Sequence, residues 1–166
     1  MTETINKVDT FKQIMGEYPT GVTIVTTMDA QGTPVGLTVN SFASVSLDPL
    51  IVLWSIDKKV SSLAAFMKAE KFVVHTLSAD QTDACWAFAG KEADRFSKVN
   101  WKVSENGLPV ITDSLGILEC KTIQQIDAGD HVILLGEVIE LKKADKSPLL
   151  YYNRNIAPVP ANWPEK

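Results

Sequence analysis

Gly21-Val22-Thr23-Ile24-Val25-Thr26-Thr27 is followed by Asp29-Ala30-Gln31-Gly32-Thr33-Pro34 and then by Val35 through Val45. Every residue after Gly21 in the first run is β-branched, which favours a pleated strand over a helix. The second stretch collects the residues that make tight turns. The third is therefore predicted to return as an antiparallel partner of the first. Upstream, Val8, Phe11, Ile14, Met15 and Tyr18 recur at helical spacing, so a helix is predicted over Val8–Tyr18 with Asp9 or Thr10 as its cap. Pro19 ends it. Downstream, Asp48-Pro49 is a turn and Leu50 to Ile56 is a near-continuous apolar strand, a pattern expected of burial on both faces.

The same reading carries to the other end. Ser61 or Ser62 caps a short helix, Leu63–Lys68, and Phe72–Leu77 is a strand. A second helical stretch opens at Asp80 and stops at Gly90. Lys91 to Pro109 is polar and irregular, with Phe96 and Trp101 embedded. Two more strands, Gly116–Ile126 and His131–Leu141, flank the turn Asp127-Ala128-Gly129-Asp130. No repeat or linker divides the chain. Closely spaced strands with few helices predict a mainly β fold, a β-barrel with helical caps.

Composition narrows the chemistry. The 166 residues, 45% apolar and 22% charged, suit one domain with one core. A net charge of -4, with only Arg95 and Arg154 as arginines, argues against nucleic acid or an anionic membrane as partner. Cys85 and Cys120 are too few for a disulfide framework or a zinc site, and both read as packed apolar fillers. The first residues, Met1 to Lys7, lack a secretory apolar region, and every apolar run is shorter than a membrane span, so a cytoplasmic protein is expected. His75 and His131 are too few for a metal cluster, and no metal is expected. Dinucleotide, P-loop and G-x-S-x-G fingerprints are all missing. An organic cofactor is the natural way for such a sequence to do hard chemistry.

Three stretches carry more polar detail than strands and turns require. Pro19-Thr20-Gly21 starts the first strand, and Thr38, Asn40, Ser41, Ser44 and Ser46 interrupt the second. Ser55-Ile56-Asp57-Lys58-Lys59-Val60-Ser61-Ser62 puts two lysines and a serine pair where a helix begins. Hydroxyls and lysines there could cradle a phosphate dianion. A strand alternating apolar and small polar residues could receive a flat amphipathic ring. Each piece also has a plainer reading: a helix cap at Ser61-Ser62, a solvated turn at Lys58-Lys59, and solvent-facing strand positions at Thr38 and Ser44.

Gly36-Leu37-Thr38-Val39-Asn40-Ser41-Phe42 followed by Ser44-Val45-Ser46-Leu47-Asp48-Pro49 strongly resembles the signature of the flavin reductase-like family. These are FMN-binding split-barrel proteins with a Greek-key-like sheet, including the small reductase components of two-component flavin monooxygenases. The resemblance runs from about Phe11 to Tyr152 and includes Asp94-Arg95-Phe96, Leu118-Glu119-Cys120 and Gly129-Asp130-His131-Val132-Ile133. It implies a single domain over residues 1–166, with its core at about 9–152 and an extended Pro-rich tail at 153–166. The tail is expected to cross a partner subunit or the pocket mouth, or to be disordered.

The resemblance also implies a function and a site. The function is NAD(P)H-dependent reduction of FMN or FAD, with hydride passing from NADH or NADPH to the flavin. The flavin would lie in a groove at a homodimer interface, and reduced flavin could serve a separate oxygenase component. Pro19, Thr20 and Gly21 match residues beside the isoalloxazine, and Val39, Asn40, Ser41 and Phe42 the strand holding the ring edge and ribityl chain. Ile56, Asp57 and Lys58 match the segment beside ribityl and phosphate, with Ser61 and Ser62 in the phosphate cradle and Lys58 and Lys59 as its counter-charge. Tyr152 matches a tyrosine near the pocket. His131 matches a histidine placed near flavin and nicotinamide, where imidazole can donate a hydrogen bond or exchange a proton. Its plainer reading is a residue leaving a hairpin turn. Arg95 either meets a dinucleotide's phosphates or pairs with Asp94 or Glu92, and His75 reads as a packed strand residue. Asn153-Arg154-Asn155-Ile156 departs from the family's usual ending. The alternatives are a protein of this fold that keeps its flavin for electron-transfer or isomerase-type chemistry, and a non-catalytic flavin carrier.

Overall fold

A computed structural model describes residues 6–91 and 93–164. The N-terminal residues 1–5 and Glu92, on which two of the expectations above draw, lie outside the described residues. Helix α1 (Lys7–Gly16) is followed by β1 (Thr20–Gly21), β2 (Thr23–Met28), β3 (Pro34–Val39), β4 (Ala43–Leu47) and β5 (Leu50–Asp57). Next come α2 (Leu63–Lys68), β6 (Lys71–Thr76), α3 (Thr82–Ala89), a 3-10 turn at Phe96–Lys98, β7 (Trp101–Val103) and β8 (Pro109–Ile111). The long strands β9 (Gly116–Ala128) and β10 (His131–Lys143) precede a C-terminal hairpin, β11 (Leu149–Tyr152) and β12 (Asn155–Pro158).

The hairpin predicted at residues 21–45 forms, but its second strand breaks. β2 pairs antiparallel with β3, Thr23 opposite Val39 and Met28 opposite Pro34. Asp29 shapes the turn, its Oδ1 accepting from the amides of Gln31 (2.9 Å) and Thr33 (2.8 Å). After Val39 the chain leaves the sheet for Asn40-Ser41-Phe42 and re-enters as β4 on the opposite edge. The order of the seven-stranded sheet is β3-β2-β6-β9-β10-β5-β4. Its two edge strands are thus separated by three residues of chain, so the sheet must curl until those edges meet. They are not hydrogen-bonded to each other, and the barrel stays split along that seam.

Two apolar clusters sit on either side of β2, which explains why Thr23 through Thr27 are all buried. Val25 joins Val52, Trp54, Phe66, Phe72 and Leu134 inside the barrel, where Trp54 meets Phe66 edge-on at 4.9 Å between ring centroids. Ile24 belongs to the outer cluster with Leu77, Phe88, Phe96 and Leu149, under α3. β5 corrects the expectation of burial on both faces. Val52, Trp54 and Ile56 point inward, but Ile51 and Leu53 on the other face are only half-buried. The apolar run is continuous because its outer face is apolar too, not because this chain covers it.

The first helix is also corrected at its cap. Asn6, not Asp9 or Thr10, accepts from the amides of Val8 (3.1 Å) and Asp9 (3.4 Å). No residue of α1 is buried, and Phe11 is 65% exposed. The first part of the tail joins a strand pair. β11 and β12 form a hairpin turning through Asn153 and Arg154, both at positive φ as a type I′ hairpin turn requires. β11 also pairs with β1, Thr20 opposite Tyr151, and Asn153 N–H donates to Gly16 O at 2.7 Å. Among the described residues no helix is long and apolar enough to cross a membrane.

Candidate functional site

The seam between β3 and β4 is where polar side chains collect, because the corner that crosses it cannot satisfy itself with ladder bonds. Ser41 Oγ donates to Ser55 O (2.9 Å) and accepts from Ser55 N–H (3.0 Å), tying the corner to β5. Both roles of that hydroxyl are therefore met by the protein. Asn40 and Phe42, on either side of it, line a cavity of about 310 Å³ together with Thr20, Gly21, Leu77 and Leu149. Thr20 Oγ1 is buried there without a hydrogen-bond partner. A buried unpaired hydroxyl costs about 1–3 kcal/mol, so this cavity is suited to a ligand with a polar edge and an apolar face.

A larger groove of about 1040 Å³ lies along β3. Thr38 lines it, two residues or about 7 Å of extended chain from Asn40 in the smaller cavity. Among the described residues, its charged lining is Lys59, Lys68, Lys91 and Arg95 against Asp29 alone, whose Oδ1 already accepts the two turn amides. Ser61 and Ser62 line the groove as well. Ser62 stands at the N-cap position of α2, but its side chain makes no capping bond, so the plainer reading of this serine is set aside. Arg95 is held rigidly, Nη1 donating to Gly36 O and Nη2 to Gly90 O, both at 2.6 Å. It makes no ion pair with Asp94, whose carboxylate accepts instead from Ser97 N–H. Positive charge and hydroxyl donors in one groove of an acidic protein fit a phosphate.

His131 opens β10, opposite Asp57 of β5. Its Nδ1 lies 2.8 Å from Asp130 Oδ1, and this hydrogen bond holds the Asp130 carboxyl below the usual carboxylate range. Asp57 Oδ1 accepts from Lys59 N–H (2.7 Å) and bends the chain after β5. Lys58 corrects its expected role as counter-charge to a phosphate. Its Nζ donates to Gly129 O (2.6 Å) and pairs with Asp127, while Lys59 is the lysine on the groove.

The predicted residues thus fall into groups. Thr20, Gly21, Asn40 and Phe42 share the small cavity; Ser61, Ser62 and Arg95 share the groove; and Asp57, Lys58 and His131 meet at the β5–β10 corner. Pro19, Val39, Ser41, Ile56 and Tyr152 line neither cavity. Ile56 is a core side chain at 1% exposure, and Val39 packs against the inner cluster while its carbonyl accepts from Thr23 Oγ1 (2.8 Å). Tyr152 is exposed on the C-terminal hairpin. The reading missed Lys68 and Lys91 and the wall made by Asp29–Pro34. Lys68 had a signal, since it lies one helical turn from Ala64 on the face of α2 that the groove touches.

The remaining titratable groups support the fold. His75 is fully buried, its Nδ1 2.9 Å from Ile24 O and its Nε2 accepting from Ile111 N–H at 3.0 Å. Burial pushes its pKa down to about 4, so the ring is neutral and pins β2 and β8 to β6. Burial likewise pushes the thiols up, Cys85 to about 11 and Cys120 to about 12, which leaves them inert fillers. Among the described residues no group of three or more His, Cys, Asp or Glu could hold a metal ion.

Comparison with known proteins agrees with this architecture. Residues 15–160 match the family model of the flavin reductase like domain. Over 141 residues the chain is 44% identical to FMN reductase (NADH) SmoA of Agrobacterium fabrum, covering 85% of this chain and 80% of that protein. It is 41% identical over 150 residues to the reductase component of a flavin-dependent trigonelline monooxygenase of Acinetobacter baylyi, covering 90% of this chain but only about half (48%) of that longer protein. Among solved structures, the Streptomyces globisporus NADH:FAD oxidoreductase SgcE6, in complex with NAD and FAD fragments, superposes with a TM-score of 0.88 at 32% identity, with 94% of each chain covered. With a curled seven-stranded sheet, a polar seam and a family match over most of its length, the chain belongs to the flavin reductase-like domain family.

Proposed function

We propose that this protein is an NAD(P)H-dependent flavin reductase. It is a single domain that binds FMN or FAD along the β3–β4 seam, accepts hydride from NADH or NADPH, and hands reduced flavin to a separate oxygenase component. The observation that carries the reading is a pair of cavities met in succession by the chain, one at Thr38 of β3 and the other at Asn40 and Phe42 of the corner that follows. One is apolar with an unpaired buried hydroxyl at Thr20, and the other is cationic and lined by the serines Ser61 and Ser62. A flavin has those two ends, a ring with a polar edge and a phosphate. The names of the relatives, which include NADH-dependent reductases and reductase components of monooxygenases, support the donor and the oxygenase partner.

A bound flavin supplies the hydride-accepting chemistry, with nicotinamide C4 as donor and flavin N5 as acceptor. The chain's share is binding and orientation. Thr20 and Asn40 offer hydrogen bonds to a ring edge, Phe42 offers an apolar contact, Lys59 and Arg95 offset phosphate charge, and the hydroxyls of Ser61 and Ser62 can donate to phosphate oxygens. His131 meets a ligand through Nε2, because Nδ1 is engaged by Asp130. Holding two reactants in a near-attack arrangement can supply about 7–11 kcal/mol of barrier reduction without an acid or base of unusual pKa.

The proposal includes a homodimer with the flavin groove at its interface, and exposed apolar side chains support the dimer. Phe11, Ile14 and Met15 on α1 are exposed, and Leu47 on the edge strand β4 is 87% exposed. An unpaired apolar edge of this kind invites a partner. Titration with FMN and FAD, followed by flavin fluorescence, tests the binding half of the reading. Binding should weaken at least tenfold when Ser61 and Ser62 are both changed to Ala, since each lost hydrogen bond to a charged group is worth about 1.5–3 kcal/mol. Equal affinity in the double variant contradicts the phosphate assignment.

A further inference from the structure

We propose that Lys58 is a positioning residue that latches the β9–β10 turn and so holds His131 in one arrangement. The proposal rests on the reading of His131 above. Lys58 is the first residue after β5, and three contacts run from it to the turn. Its backbone N–H donates to Asp130 O at 3.0 Å, its Nζ donates to Gly129 O at 2.6 Å, and the same ammonium pairs with the Asp127 carboxylate. Together they join positions 127, 129 and 130 to the end of a strand fixed by seven ladder pairs with β10.

The turn needs such a clamp. Ala128 pairs with His131, which leaves a two-residue loop of Gly129 and Asp130 at the tip of two 13-residue strands. Gly129 sits at φ +63°, a region that glycine populates readily but without holding it firmly. Asp130 is itself exposed, and it is the group that fixes the His131 ring through Nδ1. Motion of the turn therefore passes directly to the imidazole. An exposed ion pair alone is weak, so the carbonyl and backbone contacts matter more than the pairing with Asp127. The neighbouring lysine takes the phosphate-facing duty, since Lys59 lines the cationic groove and Lys58 does not.

The test compares Lys58→Met and Lys58→Arg with the natural chain. The readouts are flavin affinity, kcat and KM for NADH, and the ring NMR signals of His131 in the flavin-free protein. In Lys58→Met, flavin affinity should stay within about twofold while kcat/KM for NADH falls about tenfold, because a small misplacement of an orienting group is costly. The His131 ring signals should broaden or split, and Lys58→Arg should restore both, since a guanidinium can reach the same two acceptors. Loss of flavin affinity with unaltered His131 signals overturns the latch and returns Lys58 to the phosphate. Sharp, unshifted His131 signals in Lys58→Met overturn it as well. Altered His131 signals in a chain that never oxidises NADH uphold the latch and reject the reductase reading.

Discussion

His75 and His131 show how two copies of one residue type come to opposite duties. His75 is sealed between three strands with both ring nitrogens used, and burial depresses its folded pKa from 6.5 to about 4. The unfolded chain therefore takes up its proton first as pH falls. The stability contribution is complete above the unfolded value of about 6.5 and is lost progressively toward pH 4, amounting to about 3 kcal/mol. Urea midpoints of the natural chain and of His75→Gln, measured at about pH 7.5 and 4.5, should show a smaller pH dependence in the variant. Equal dependence contradicts the buried neutral ring. His131 is a different case: its side chain is 41% exposed and only one ring nitrogen is engaged. His131→Ala should lower the rate of flavin reduction while leaving flavin affinity nearly intact, and unchanged rates retire that role.

At the scale of elements, the seam depends on a few close contacts. A side chain at Gly36 would place its Cβ 2.8 Å from Phe88 Cε1, so β3 can approach α3 only because nothing projects there. Gly36→Val should cost about 1–3 kcal/mol through overpacking, read as a lower melting temperature, and should weaken flavin binding by shifting the groove wall. Ser41→Ala removes two hydrogen bonds at once and should cost about 1–3 kcal/mol in urea unfolding. Both Gly36 and Ser41 sit in a stretch whose sequence is only partly informative about its fold. The β-branched run at 22–27 announced its strand, and the turn residues announced the hairpin. The break at Asn40-Ser41-Phe42 was only half legible: Asn40 and Ser41 favour turns, but Thr38, Ser44 and Ser46 interrupt the same run, so composition did not single out the corner. What bends it is a tertiary bond from Ser41 to Ser55, fourteen residues away. Lys58 and Lys59 illustrate the same limit, since adjacent lysines look alike until the turn from another hairpin claims one of them.

At the scale of the molecule, Val8, Phe11, Ile14 and Met15 do form the apolar helix face that periodicity assigned them, while Tyr18 lies past the helix end at Gly16; this chain does not cover that face. The outer face of β5 repeats the pattern, and so does Leu47 on β4. Local spacing records that a surface is apolar; it does not say whether the surface buries within one chain or against a second. Sedimentation should give a species of twice 18.2 kDa, and Phe11→Asp should shift it toward monomer. A natural chain that sediments as a monomer would contradict the shared groove. Reductase activity requires that this seam bring a flavin and a nicotinamide together for hydride transfer. Anaerobic mixing of the protein with FMN or FAD and NADH or NADPH measures it directly. Flavin absorbance should bleach with at least one nicotinamide, faster than in a protein-free control; a bound flavin that stays oxidised with both rules this hydride transfer out.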